Sequence, residues 1–134
     1  DKVKYGGYLV TIAGCIECHT QLEKGELVKG MEYAGGHEFP IGNYVVHSAN
    51  ITPDQETGLG KWSEDRFVAK FKGHVNLTYE NAPRSTQANF TIMPWHAFAQ
   101  MTEDDLKAIY SYLRTIPPVH NPVDVHPALA PPQS

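Results

Sequence analysis

Cys15-Ile16-Glu17-Cys18-His19 sets two thiols three positions apart and an imidazole directly after the second. Each thiol can add across a haem vinyl group, and the imidazole then reaches the iron. The pentapeptide therefore reads as a c-type haem attachment site. Cys15 and Cys18 are the only cysteines in the 134 residues, so none remains for a disulfide framework. Competing readings want a different context. A thioredoxin-like redox pair follows a strand, whereas residues 2–14 carry a helical pattern. A four-ligand zinc site needs two more ligands at finger-like spacing, and His120 and His126, six apart in a proline-rich tail, offer poor geometry for them.

The length suits one domain. A net charge of −4 with mixed signs argues against a nucleic-acid partner or an anionic membrane surface, both of which call for a basic patch. No apolar run approaches the ~18–20 residues of a transmembrane helix. The chain opens at Asp1 with charged residues and no secretory signal. Haem attachment to this motif takes place outside the cytoplasm, so Asp1 reads as a processed or trimmed start.

Outward from the motif, three stretches predict helices. Residues 2–14 place Val3, Gly7, Leu9, Val10 and Ala13 along one side. Residues 63–72 start on the cap Ser63 and stop at Gly73. Residues 102–115 start on Thr102, carry acids in the first turn and end before Pro117-Pro118. Met101 and Leu106 fit a hydrophobic staple across that start. The Gly-, Pro- and Asn-rich segments 30–62 and 73–92 read as loops, long enough to need a ligand to pack against. From Pro117 onward six prolines and no periodicity predict a strapped tail or a linker. The domain expected is 1–119, followed by a proline-rich tail or linker at 120–134. With one attachment motif, one haem is expected.

The ligand opposite His19 decides the chemistry. A methionine thioether favours Fe(II) and raises the potential of an electron carrier, a second histidine lowers it, and an open position admits gases or substrates. Met31 lies only 12 residues after His19, and Met101 is explained by the staple. Met93, in Thr91-Ile92-Met93-Pro94-Trp95, stands between the motif and the last helix, and Pro94 stiffens its loop. Met93 is the ligand favoured. Histidines 37, 47, 74, 96, 120 and 126 are rivals, His96 foremost because it lies three residues further on.

These residues resemble the class I cytochromes c over most of 2–119. The resemblance implies an all-α cytochrome c fold with crossing N- and C-terminal helices, Gly7 at the crossing and Tyr112-Leu113 filling it. The sequence is more closely similar to the cytochrome c domains that accompany membrane-bound alcohol and aldehyde dehydrogenases. The similarity is carried by Asn50-Ile51-Thr52-Pro53-Asp54, Thr57-Gly58-Leu59-Gly60-Lys61-Trp62-Ser63, Phe67, Met93-Pro94-Trp95, and Asp105-Leu106 with Tyr112-Leu113. It implies that Asn50, Thr52 and Trp62 line the haem edge, with the Trp62 indole N–H free to meet a propionate. It also implies that the Pro40 carbonyl accepts from the His19 ring. Residues 74–91 are longer than the corresponding segment of those domains.

The expectation is a monohaem c-type cytochrome, not itself a catalyst. It would hold haem c through Cys15 and Cys18, with His19 and Met93 on the iron. It would pass single electrons in the bacterial periplasm among redox partners such as a dehydrogenase, an oxidase or another cytochrome, with a removed anchor or a partner subunit as its tie to the membrane. Alternatives are an electron-accepting domain or subunit of a dehydrogenase complex, and a gas-binding or sensory haem protein.

Overall fold

The computed structural model describes residues 1–78 and 80–129. Helix α1 spans Lys2–Ala13; the Asp1 carboxylate accepts from the Lys4 N–H at its start, and Gly14 closes it at φ 73°. That left-handed turn starts a second, single-turn helix, α2, over Cys15–Cys18. Two hairpins follow: β1 (Leu22–Glu23) with β2 (Glu26–Leu27), and β3 (Glu38–Ile41) with β4 (Tyr44–His47). Then come α3 (Glu64–Lys72), α4 (Trp95–Ala99) and α5 (Glu103–Leu113). Ser63 and Thr102 cap α3 and α5, their hydroxyls accepting from Arg66 and Asp105 N–H.

The expectation of an all-α protein is too narrow, because both hairpins are antiparallel β-structure. Their turns have the chemistry that two-residue hairpins require. Lys24 and Gly25 both take positive φ, and Gly42 takes φ 58° at the first position of the second turn. Pro40 sits opposite Val45, whose N–H and C=O are bonded elsewhere, so its missing donor costs the ladder nothing.

The core lies where α1 crosses α5 and α3 packs beside them, with Leu9, Val10, Phe67, Phe71, Leu106, Ile109 and Leu113 buried. The crossing is tighter than expected and is centred one residue earlier. A Cβ at Gly6 would lie 1.9 Å from the Ala108 carbonyl oxygen, whereas one at Gly7 would meet the Tyr112 ring at 3.0 Å. Gly6, Leu9 and Val10 face the core, while Val3, expected on that face, is exposed. The chain after α5 is tied down at least to Pro127. The Val119 and Asn121 carbonyls accept from Asn50, Val125 accepts from His47 N–H, and Pro127 accepts from Gln87. Among the described residues no helix is long and apolar enough to cross a membrane.

Candidate haem site

α2 carries Cys15 and Cys18 to the edge of an apolar cavity of about 260 Å³, and His19 follows at the helix end. The His19 main chain is fixed by its carbonyl, which accepts from Gly35 N–H at 2.7 Å. Its ring is fixed by Nδ1, which donates to the Ala49 carbonyl at 2.7 Å. Gly35 makes this possible. At φ 74° it lets Ser48-Ala49 run alongside, where a Cβ would fall 2.4 Å from the Ala49 carbonyl carbon. Burial pushes the His19 pKa down against the opposing pull of the Ala49 bond, so the ring is held neutral. With Nδ1 donating, the lone pair belongs to Nε2, the nitrogen available to a metal.

The expectation for Pro40 is therefore corrected. Pro40 is an exposed residue within β3, and the carbonyl on the His19 ring is that of Ala49, two residues beyond β4.

Met93 and Pro94 line the same cavity as His19, Cys15 and Cys18. Three local contacts hold the methionine loop. The Thr91 hydroxyl accepts from the Met93 N–H and from the Trp95 indole N–H, each at 3.2 Å. The Met93 carbonyl accepts from Trp95 N–H at 2.7 Å. Trp95 in turn packs on Phe71 of α3 and lies flat against His74, with centroids 5.1 and 4.8 Å away. Met31 and Met101 do not line the cavity. His96 is exposed with Nδ1 toward the His74 carbonyl. His47 does reach the cavity, but both its ring nitrogens are engaged, Nδ1 by the Asp124 carbonyl and Nε2 by Glu38.

Asn50, Thr52 and Trp62 do not line the cavity. Asn50, 4% exposed, is a hub inside the protein. Its amide donates to Thr57 Oγ1 and to the Val119 and Asn121 carbonyls, and its Oδ1 accepts from the Thr52 N–H and hydroxyl. Trp62 packs on the core with the Arg66 guanidinium 4.0 Å over its ring, and its carbonyl accepts from the Tyr110 hydroxyl. The remaining walls come from Phe39, Val46, Thr91, Ile92, Phe98 and Val125. Ala49 and Val125 carried no sequence signal, since a backbone carbonyl and a lone valine are generic. Phe39 and Val46 did, as cross-strand partners either side of Gly42-Asn43.

The donor set fits a covalently held haem. It combines two free thiols three residues apart, a neutral imidazole with its outer nitrogen bonded, and a thioether, all around one apolar space. It does not fit thiol–disulfide exchange. Burial, with Cys18 adding to it, pushes the Cys15 thiol up to about 11, the opposite of the depressed value such exchange uses. Among the described residues no group of three or more His, Cys, Asp or Glu converges to hold a metal ion, so zinc finds no cage.

No protein-family model matches the chain. Curated relatives do. The cytochrome c subunit of the quinone-type alcohol dehydrogenase of Gluconobacter oxydans is 32% identical over 112 residues, 82% of this chain and 20% of that subunit. The cytochrome c subunit of gluconate 2-dehydrogenase from Pantoea cypripedii is 34% identical over 82% of this chain and 22% of its own length. The fructose dehydrogenase cytochrome subunit of Gluconobacter japonicus is 30% identical over 90% and 23%. The chain thus spans about a fifth of each of these relatives. Over most of its own length it is a homologue of the cytochrome c subunits of alcohol, gluconate and fructose dehydrogenases, and the cytochrome c fold is the one these relatives support.

Proposed function

We propose that this chain is a monohaem c-type electron-transfer unit, with the cofactor joined to Cys15 and Cys18 and the iron between His19 and Met93. The observation that carries the reading is the convergence of those four side chains on one apolar cavity. When bound, the haem supplies a one-electron Fe(III)/Fe(II) couple. The chain's own residues do the rest. Ala49 orients His19 and holds its proton on Nδ1, leaving the Nε2 lone pair free, Thr91 and Trp95 fix the loop that presents Met93, and Phe39, Val46 and Val125 keep water out. A soft thioether beside a dry wall favours the reduced state and a high potential.

The setting proposed is the bacterial periplasm, with redox proteins as partners: a dehydrogenase, an oxidase or another cytochrome. Similarity to subunits of alcohol, gluconate and fructose dehydrogenases favours a dehydrogenase as electron donor, with this chain as an electron-accepting domain or subunit beside the catalytic one. Visible spectra of the purified holoprotein test the site. Sharp c-type bands on reduction, a far-red thioether–iron band on oxidation and indifference to carbon monoxide are expected. A carbon monoxide shift in the reduced protein would instead place the chain among gas-binding haem proteins.

A further inference from the structure

Gln87 stands six residues before Met93 in the long 74–91 segment, and its side chain behaves as a piece of β-strand. Its Oε1 accepts from Val45 N–H at 3.0 Å, while Nε2 donates to the Val45 carbonyl at 2.7 Å and to the Pro127 carbonyl at 2.7 Å. Val45 has no ladder partner in Pro40, so the outer edge of β4 is open to this one amide. The same edge takes two further ties from the segment. The Tyr44 hydroxyl donates to the Ser85 carbonyl at 3.0 Å, and the Tyr44 and Phe90 rings stack at 4.9 Å. From the other side His126 Nε2 meets the Phe90 carbonyl at 2.8 Å. The stretch that ends in the methionine loop is therefore bolted to β4 and to the chain after α5, with the half-buried Gln87 bonded to both.

We infer that Gln87 is a positioning residue for Met93: by locking residues 85–90 onto β4 and Pro127, its amide sets how readily Met93 gives up the sixth position of the iron. This rests on the reading of Met93 as ligand. An incoming ligand has to displace the methionine and move its loop, so it binds more weakly by the cost of that opening. Loosening the far anchor lowers the cost.

Imidazole titration of the ferric holoprotein tests this, read at the Soret band in four forms: native, Gln87→Ala, Met93→Ala and the double variant. Met93→Ala should bind imidazole far more tightly than native, because nothing needs displacing. Gln87→Ala should bind about tenfold more tightly than native, the low end of what its three lost hydrogen bonds are worth. In the Met93→Ala background the same substitution should change nothing. A Met93→Ala variant no tighter than native removes Met93 from the iron, and the reading beneath the inference with it. A tight Met93→Ala beside an unchanged Gln87→Ala overturns the role of Gln87 alone. An equal gain in both backgrounds also overturns it, because Gln87 would then gate access rather than hold the methionine. Gln87→Glu keeps the acceptor for Val45 N–H but sets a carboxylate oxygen against the Val45 and Pro127 carbonyls, so it should loosen the anchor at least as much as Gln87→Ala; should the alanine variant fail to yield holoprotein, the glutamate variant carries the same comparison.

Discussion

At the scale of single residues, what distinguishes the candidate ligands is what else each side chain is doing. His47 reaches the cavity but offers both nitrogens to acceptors, Glu38 and the Asp124 carbonyl, whereas Met93 has a fixed backbone and an uncommitted sulfur. Replacing Met93 by histidine should therefore leave haem attachment intact and lower the potential by tenths of a volt, a fraction of the about 0.8 V that axial ligation spans. Potentiometric titration measures it, and an unchanged potential would take Met93 off the iron. Asn50 gives a prediction of the opposite kind. Its amide answers three acceptors and its oxygen two donors of Thr52 inside the protein, so Asn50→Ala strands several buried polar groups. The expected loss is about 2–4 kcal/mol in denaturant unfolding, with the potential little changed because the residue does not touch the cavity. A large potential shift with unaltered stability would place it at the haem edge.

At the scale of elements, the α1–α5 crossing is set by one glycine more than by the other. A methyl at Gly6 drives into the Ala108 backbone, which cannot move without moving α5, while a methyl at Gly7 meets a ring that can turn. Gly6→Ala should cost about 3 kcal/mol or more and Gly7→Ala about 1 kcal/mol, from the range that overpacking covers. Guanidinium unfolding of the two holoproteins compares them, and equal losses would contradict the geometry. This crossing also shows how far the sequence could be read. Caps mark helix ends locally, so Ser63 and Thr102 were legible, and α3 and α5 begin one residue after them. The face of α1 was less so, because Gly6 and Gly7 are neighbours and only α5 tells them apart. The β3–β4 hairpin was hidden by Pro40 in a strand only four residues long, although Gly42-Asn43 suits its turn. For the site, the covalent motif and the Met-Pro loop are short-range patterns and stood out. The Ala49 carbonyl, the Val125 wall and the placement of Trp62 on the core are long-range consequences of packing that no local pattern encodes.

At the scale of the whole molecule, loops rather than regular elements close the structure, and one carboxylate ties several together. Asp54 accepts from the Thr57 N–H and hydroxyl. Thr57 Oγ1 then accepts from the Asn50 amide and from Asn121 N–H, which joins the 50–60 loop to the chain after α5. Arg114, at the end of α5, donates to the Leu59 and Gly60 carbonyls of the same loop. The Thr57 bonds hold the Asp54 carboxyl below its usual range, with His120 nearby contributing in the same sense. A carboxylate whose folded pKa is depressed binds protons more weakly folded than unfolded. Its contribution to stability is complete above the unfolded value of about 3.9 and is lost as pH falls through the lower folded value. Asp54→Asn cannot titrate. Native protein should therefore exceed the variant in thermal midpoint from neutral pH down to about 4, and the gap should close on further acidification. Melting curves of both holoproteins between neutral pH and about pH 3 follow it. A gap that stays constant across that range would mean that the Thr57 bonds do not depend on the charge, and that the joint is held by Asn50 and Arg114 alone.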